Sequence, residues 1–174
     1  LYVSIDGVLY TKDLTNLVAF PIDSTMKSYS ILEGTVYIDE EVFADSQNVE
    51  TVYFPSTIKE VREGAFSFIS IKEVFFNDGL ESIDDSAFTY YDNNNSRHYI
   101  DVTFHVSPDQ LDKYKQKFST FSNITFIGDY VPHVYDKKII EKKYLKLSAT
   151  CTEPAVYYFS CECGKTGLET FEYS

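Results

Sequence analysis

The chain has 174 residues, with 27 acidic against 15 basic side chains and a formal net charge of −12. That length holds one or two domains with a sizeable core, and so acidic a surface repels duplex DNA, RNA and anionic membrane, which disfavours nucleic-acid binding. No run of about 18 apolar residues is present, so nothing in this segment inserts into a membrane, while 15 Tyr and 14 Phe without any Trp suit an exposed, contact-making surface.

The chain opens on Leu1 in mid-pattern. It reads as a fragment or processed product, so the missing signal peptide says nothing about secretion. Residues 2–20, YVSIDGVLYTKDLTNLVAF, place two short apolar runs around Asp6-Gly7. Gly accepts the positive φ of a type I′ turn, so this is a hairpin signal. A polar turn from Lys12 to Asn16 leads to Leu17-Val18-Ala19-Phe20, which Pro21 stops. A small β-meander is expected here.

Residues 51–66, TVYFPSTIKEVREGAF, are then written again 22 positions later as EVFFNDGLESIDDSAF. Val52 answers Val74, Phe54 answers Phe76, Ile58 answers Leu80, Val61 answers Ile83, and Ala65-Phe66 answers Ala87-Phe88. A weaker copy, YSILEGTVYIDEEVF at 29–43, lies 23 positions earlier, with Thr35 in place of Ile58 and Val42 in place of Ala65. Such a period means a solenoid, in which no repeat folds alone and stacked coils bury one apolar column. In V-x-F the two apolar residues share one face of a short strand. Pro55 and Asp78-Gly79 turn the chain out of it, and Ile58 and Val61 form a second inward side. Phe66 plugs the gap between coils.

Residues 89–98, TYYDNNNSRH, break the period, with Asp92 to Ser96 a polar surface loop. IDVTFHV (100–106) alternates as a strand, and PDQLDKYKQKF (108–118) reads as an amphipathic helix with Leu111, Tyr114 and Phe118 on one face. Ser107 and Gln110 have capping-box spacing. Ile124, Phe126 and Ile127 make a last strand, so strand, helix and strand together cap the terminal coil. From Val131 the character changes. Pro132 and DKKIIEKK (136–143) read as a linker or first strand, followed by a β-rich tail carrying all three cysteines.

The repeats, carried by Val52-Tyr53-Phe54-Pro55, Ile58, Val61 and Gly64-Ala65-Phe66 with their partners one period on, resemble the BspA-like (Treponema pallidum type) leucine-rich repeat family. The hairpin at 5–21 is similar to that family's segment before or between repeats. The tail ATCTEPAVYYFSCECG (149–164) resembles a cysteine-bearing module at the ends of surface proteins of gut Firmicutes. The expected fold is therefore a β-rich α/β solenoid of about three to four coils. It would comprise a hairpin at 1–23, repeats at 24–98 and a cap at 99–130, followed by a small β module at 131–174. The resemblance implies an extracellular, cell-surface or cell-wall protein. Its repeats would bind a host or bacterial surface protein or glycan, with no catalysis and no cofactor.

Candidate chemistry is sparse. Cys151, Cys161 and Cys163 supply only three ligands of a zinc site, with His133 the one histidine in the tail that could complete it. A disulfide from Cys151 to Cys161 or Cys163, or free thiols, is the simpler state. His98, in a loop, and His105, on a strand, read as surface residues. The acidic pairs Asp39-Glu40-Glu41 and Asp84-Asp85 read as solvated turns, and no spaced D-x-D-x-D loop supports calcium.

The sharper expectation concerns the outward strand face. In register, one outward column is Ser28, Thr51, Glu73 and Thr103, and the next is Ser30, Tyr53, Phe75 and His105. Tyr53 and Phe75 are large aromatics that this register does not bury. They make a contact platform for protein or glycan, or else they stack as ordinary cross-strand pairs or lie under a flanking domain. The function expected is a non-catalytic binding or adhesion module. The alternatives are an accessory domain of a secreted enzyme, or a metal or redox device in the tail.

Overall fold

The computed structural model describes residues 1–67, 69–76, 78–131, 137–150, 153–160 and 166–173. The chain divides into two compact units, Leu1–Val131 and Pro132–Ser174. The first begins with β1 (Tyr2–Ile5), β2 (Val8–Thr11) and β3 (Asn16–Ala19) as an antiparallel meander. Ile5 faces Val8 across Asp6 (φ 51°) and Gly7 (φ 85°), both left-handed as a type I′ turn requires. The chain then coils through β4 (Ser28–Ser30), β5 (Tyr37–Ile38), β6 (Thr51–Tyr53), β7 (Glu60–Val61), β8 (Glu73–Phe75) and β9 (Ser82–Ile83). A hairpin of β10 (Thr89–Tyr91) and β11 (Arg97–Tyr99) follows, then β12 (Val102–Val106), α1 (Leu111–Lys117) and β13 (Ile124–Gly128).

Two sheets result. One is wholly parallel, in the order β13-β12-β8-β6-β4, and the other runs β1-β2-β3-β5-β7-β9. Together they form a β-solenoid of about five turns with one short helix. The count exceeds the three to four coils expected for two physical reasons. Leu17 of β3 pairs in parallel with Ile38, which pairs with Val61, so the end of the meander is already a coil side. At the other end, β12 and β13 extend the parallel sheet, with Phe104 opposite Val74 and Phe126 opposite Phe104.

The column between the sheets is the core. Val52, Val74, Ile58, Leu80, Val61 and Ile83 are all buried. The Ala-Phe ends form a ladder of rings. Phe20 lies 5.0 Å from Phe43, Phe43 lies 4.9 Å from Phe66, and Phe66 lies 4.9 Å from Phe88, the last two pairs nearly coplanar at 9° and 3°. Backbone follows the rings: Phe20, Phe43 and Phe66 N–H groups donate to the carbonyls of Val42, Ala65 and Ala87 at 3.0, 2.9 and 2.9 Å. Burying such a ring contributes about 1.5–3 kcal/mol, and stacked pairs add about 0.5–1.5 kcal/mol each. Phe20 belongs to this ladder, not to the meander alone.

Gly79 turns the chain out of β8 with φ +102°, and a Cβ there would meet the Ser56 carbonyl at 2.8 Å. That turn is fastened to α1. The Asp78 carboxylate accepts from Lys113 Nζ and from the Tyr114 hydroxyl, each at 2.6 Å, and from the Gly79 N–H at 2.7 Å. These bonds, Lys113 first, hold its pKa down at about 2. Tyr114 is fully buried and stacks with Phe118 and Phe126. The capping box expected of Ser107 and Gln110 does not form. A 3-10 turn at Pro108–Gln110 precedes α1, and the Ser107 hydroxyl instead donates to Asp109 at 2.6 Å.

The stretch 89–98 is a loop only at its tip. Tyr90 pairs with His98 and Tyr91 with Arg97, so His98 sits on a strand. The second unit is an antiparallel sheet of β14 (Leu145–Leu147), β15 (Ala155–Ser160) and β16 (Thr166–Tyr173), with a 3-10 turn at Lys142–Tyr144. Lys138 Nζ lies 5.6 Å from both the Phe159 and Phe171 ring centroids. Lys137 bridges to Ser160 at the start of the charged run read as a linker or first strand.

The degenerate coil leaves a measurable defect. Thr35 is fully buried where the other coils place Ile58 and Leu80, and its hydroxyl has no hydrogen-bond partner among the described residues. Thr35→Val keeps the shape and removes the stranded group, so unfolding free energy in urea should rise by about 1 kcal/mol, while Thr35→Ser should lower it. A Val variant no more stable than the parent would mean the hydroxyl is satisfied.

The Asp78 contact predicts a pH dependence. Its folded pKa lies below the ordinary 3.8, so its contribution is fully present above that pH and is lost as pH falls through about 2. The side chain is 47% exposed, which limits the effect of Asp78→Asn to about 0.5–1 kcal/mol at neutral pH. In thermal melts the gap between Asp78→Asn and parent should close as pH falls from 3.8 toward 2. A gap independent of pH would assign the loss to packing.

Candidate functional site: the outward face of the parallel sheet

The parallel sheet sets both outward columns. Ser28, Thr51, Glu73, Thr103 and Thr125 are aligned, and so are Ser30, Tyr53, Phe75, His105 and Ile127. One position before the strands, Lys27, Glu50 and Lys72 alternate in charge, with Glu50 3.5 Å from Lys27 and 2.7 Å from Lys72. In the first column the Thr51 hydroxyl donates to Glu73 at 3.4 Å. Thr51, Glu73 and Thr103 are half-buried, and Ser28 and Ser30 are exposed at the sheet edge.

The aromatic column is a stack. Tyr53 and Phe75 lie 5.0 Å apart at 20°, and Phe75 and His105 lie 4.3 Å apart at 11°. Tyr53 and Phe75 are half-buried. His105, read from the sequence as a surface residue, is only 8% exposed. The cause is the chain after β13: Tyr130 N–H donates to the Val106 carbonyl at 3.0 Å, folding residues 129–130 back over the face. The Tyr130 ring then meets Phe75 edge-on at 5.5 Å, and Asp129 Oδ1 lies 2.7 Å from His105 Nδ1. A carboxylate only accepts, so Nδ1 carries the proton. His105 Nε2 is buried, lies 3.8 Å from Glu73, beyond hydrogen-bond distance, and has no hydrogen-bond partner among the described residues.

The arrangement anchors rings. Asp129 fixes the imidazole, the imidazole backs Phe75, and Phe75 backs Tyr53. Asp129, Tyr130 and Ile127 are the members that the sequence reading left out. The available signal was their spacing, since Asp129 falls 24 positions after His105, close to one coil.

The second sheet presents different chemistry. Its outward residues Asn16, Tyr37, Glu60 and Ser82 surround an ionic network. Arg62 donates to Asp39 at 2.6 Å and Glu60 at 3.0 Å and lies 4.7 Å from the Tyr37 ring centroid. An aromatic stack thus runs along one face, and an Arg62–carboxylate network with the Tyr37 ring along the other. Cys151, Cys161, Cys163 and His133 lie outside the described residues. Among the described residues no group of three His, Cys, Asp or Glu is disposed to hold a metal ion. No helix there is long and apolar enough to cross a membrane.

The chain is 18% identical to the crystal structure of a leucine-rich cell surface protein from Faecalibacterium prausnitzii, with a TM-score of 0.43 over 74% of this chain and 40% of that one. It is 13% identical to the pneumococcal vaccine antigen PcpA, with a TM-score of 0.36 over 75% of this chain and 48% of that one. It therefore spans less than half the length of either. No curated protein matches its sequence. A family model for the BspA-type leucine-rich repeat region matches residues 18–131 in six copies, running from within β3 to the end of the solenoid unit. With about two-thirds of its length covered, the chain belongs to the BspA-type leucine-rich repeat family.

Proposed function

We propose that the chain is a non-catalytic binding module of an extracellular, surface-displayed protein, and that the outward face of its parallel sheet contacts a partner macromolecule. One observation carries this reading. The column Tyr53–Phe75–His105 is aromatic where the solenoid asks only for outward polar residues, and the matching face of the other sheet is ionic. Half-buried rings beside a polar column of Thr51, Glu73 and Thr103 have the make-up of a contact patch, with an anchor at the centre and hydrogen-bonding groups at the rim.

The partner favoured is a protein. Sugar rings stack on open aromatic faces, and here the ring faces are largely taken up by one another. What remains is a flat strip of ring edges with a threonine and carboxylate rim, which suits a protein surface. Placement of the module outside the cell follows from the setting that its family implies, and stands with the proposal.

Binding of the labelled chain to intact epithelial cells and intact bacteria, read by flow cytometry, tests this. Tyr53→Ala with Phe75→Ala should reduce binding by at least about tenfold, since central aromatic anchors are worth 2 kcal/mol or more, with a melting-temperature change of only a few degrees. Protease treatment of the cells should remove binding to the parent chain, whereas loss on glycosidase treatment alone would make the partner a glycan. Full binding by the double variant, or its failure to fold, would make the column structural.

A further inference from the structure

His105 stands within the strand face, and both of its ring nitrogens meet carboxylates. Nδ1 lies 2.7 Å from Asp129, which belongs to the strap that follows β13, and Nε2 lies 3.8 Å from Glu73 of β8. The ring is buried, and Nε2 has no hydrogen-bond partner among the described residues. With its one proton on Nδ1, the neutral imidazole turns a bare lone pair toward Glu73. An ionised carboxylate has no hydrogen to offer that lone pair, and a buried acceptor left unmatched costs its desolvation. Only the imidazolium, a donor at both nitrogens, gives each carboxylate a partner. The neutral ring uses half of its setting, and the charged ring uses all of it.

The neighbours leave this place to the proton. Among the described residues, the ion pairs open to His105 are with Glu73 and Asp129 alone. Of the elements packed against the ring, β8 also contributes Phe75, β13 contributes Ile127, and the strap contributes the Tyr130 ring by way of Phe75. Lys72, beside Glu73 in the chain, is held by Glu50 at 2.7 Å. Glu73 itself accepts only a long bond from the Thr51 hydroxyl, at 3.4 Å, and can shift toward Nε2.

We propose that His105 is a proton-operated latch on the strap that crosses the strand face. When the ring takes up a proton at Nε2, Glu73 closes onto it, and the Nδ1–H bond to Asp129 becomes an ion pair, stronger than the neutral-donor bond it replaces. Asp129 then holds the strap down, with Tyr130 edge-on against Phe75. When the proton leaves, the strap keeps the weaker Asp129 bond and the Tyr130 N–H bond to the Val106 carbonyl, and Phe75 is more readily uncovered. Histidine is the side chain whose charge ordinarily changes between about pH 5 and 8, so acid closes the latch and mild alkali loosens it. The latch needs no partner, whereas its effect on binding rests on the reading that the strand face is the contact surface.

The latch is tested without a partner. In chain made with isotope-labelled histidine, long-range proton–nitrogen spectra distinguish a protonated from a bare ring nitrogen, with His98 and His133 assigned through their Gln variants. At about pH 8 His105 should show Nδ1 protonated and Nε2 bare, and at about pH 5.5 both protonated. Hydrogen exchange of the Tyr130 amide, corrected for its intrinsic rate, should slow about fivefold over the same range, since bonds to charged groups exceed neutral ones. His105→Phe keeps a stacking ring without the proton and should abolish that gain. Glu73→Gln should cut the gain at least by half, and it decides the matter even where His105→Phe misfolds. An Nε2 that stays bare in acid, Tyr130 protection that is equal at both pH values, or a Glu73→Gln chain with the full gain overturns the proposal. In the cell-binding assay, the ratio of binding in mild alkali to binding in acid should be several-fold larger for the parent than for His105→Phe. Equal ratios would overturn the latch as a control on binding. Absence of parent binding at both pH values would count against the strand-face reading, while the spectra and exchange still decide the latch.

Discussion

The structure depends on one constraint: each coil must present its backbone to the next at a fixed translation. The N–H of Phe43 reaches the carbonyl of Ala65, and that of Phe66 reaches Ala87, so equivalent residues 22 or 23 positions apart lie one above another. Everything stacked follows from this. Inside, it aligns the rings of Phe43, Phe66 and Phe88 and the Val, Ile and Leu columns. Outside, it aligns Lys27 with Glu50 and Lys72, and Tyr53 with Phe75 and His105. The core and the candidate binding face are two sides of the same register. An outward aromatic in one coil automatically meets whatever the next coil places there.

The same constraint explains what could be read from sequence. Positions whose role repeats were legible, because Val52, Phe54, Ile58, Val61 and Phe66 recur at one period in the next coil. The outward columns followed from alternation within three-residue strands. Phe20 was harder to place. Its Ala19-Phe20 pair stands 23 positions before Val42-Phe43, but Asp6-Gly7 and Pro21 frame the segment as a hairpin, and local turn chemistry hid the longer period. His105 could not be placed by pattern at all. It points outward as alternation requires, and it is buried because Asp129 and Tyr130 fold back over it. The Ser107 capping box failed for a local reason, since Asp109 lies closer to that hydroxyl than the spacing rule assumes.

The hairpin shows how such a fold takes on new surface without losing its core. Val74 and Phe104 are neighbours across the sheet although 30 positions separate them, while Phe104 and Phe126 return to a separation of 22. The eight extra residues are absorbed by the hairpin arms and tip. The ladder resumes across the gap, with Ile100 N–H donating to the Phe88 carbonyl at 2.9 Å and Thr103 N–H to the Lys72 carbonyl at 2.8 Å. Because a coil contacts only its neighbours, an insertion that returns the chain to register disturbs neither side. Loop-closure cost grows only slowly with length, so the added residues are tolerated. Strand-face residues inside the sheet lack that freedom, since a side chain such as Phe75 is packed against Tyr53 of the coil before and His105 of the coil after. On the hairpin, Tyr90 stacks on His98 and Arg97 lies over Tyr99, contacts made within the insertion itself.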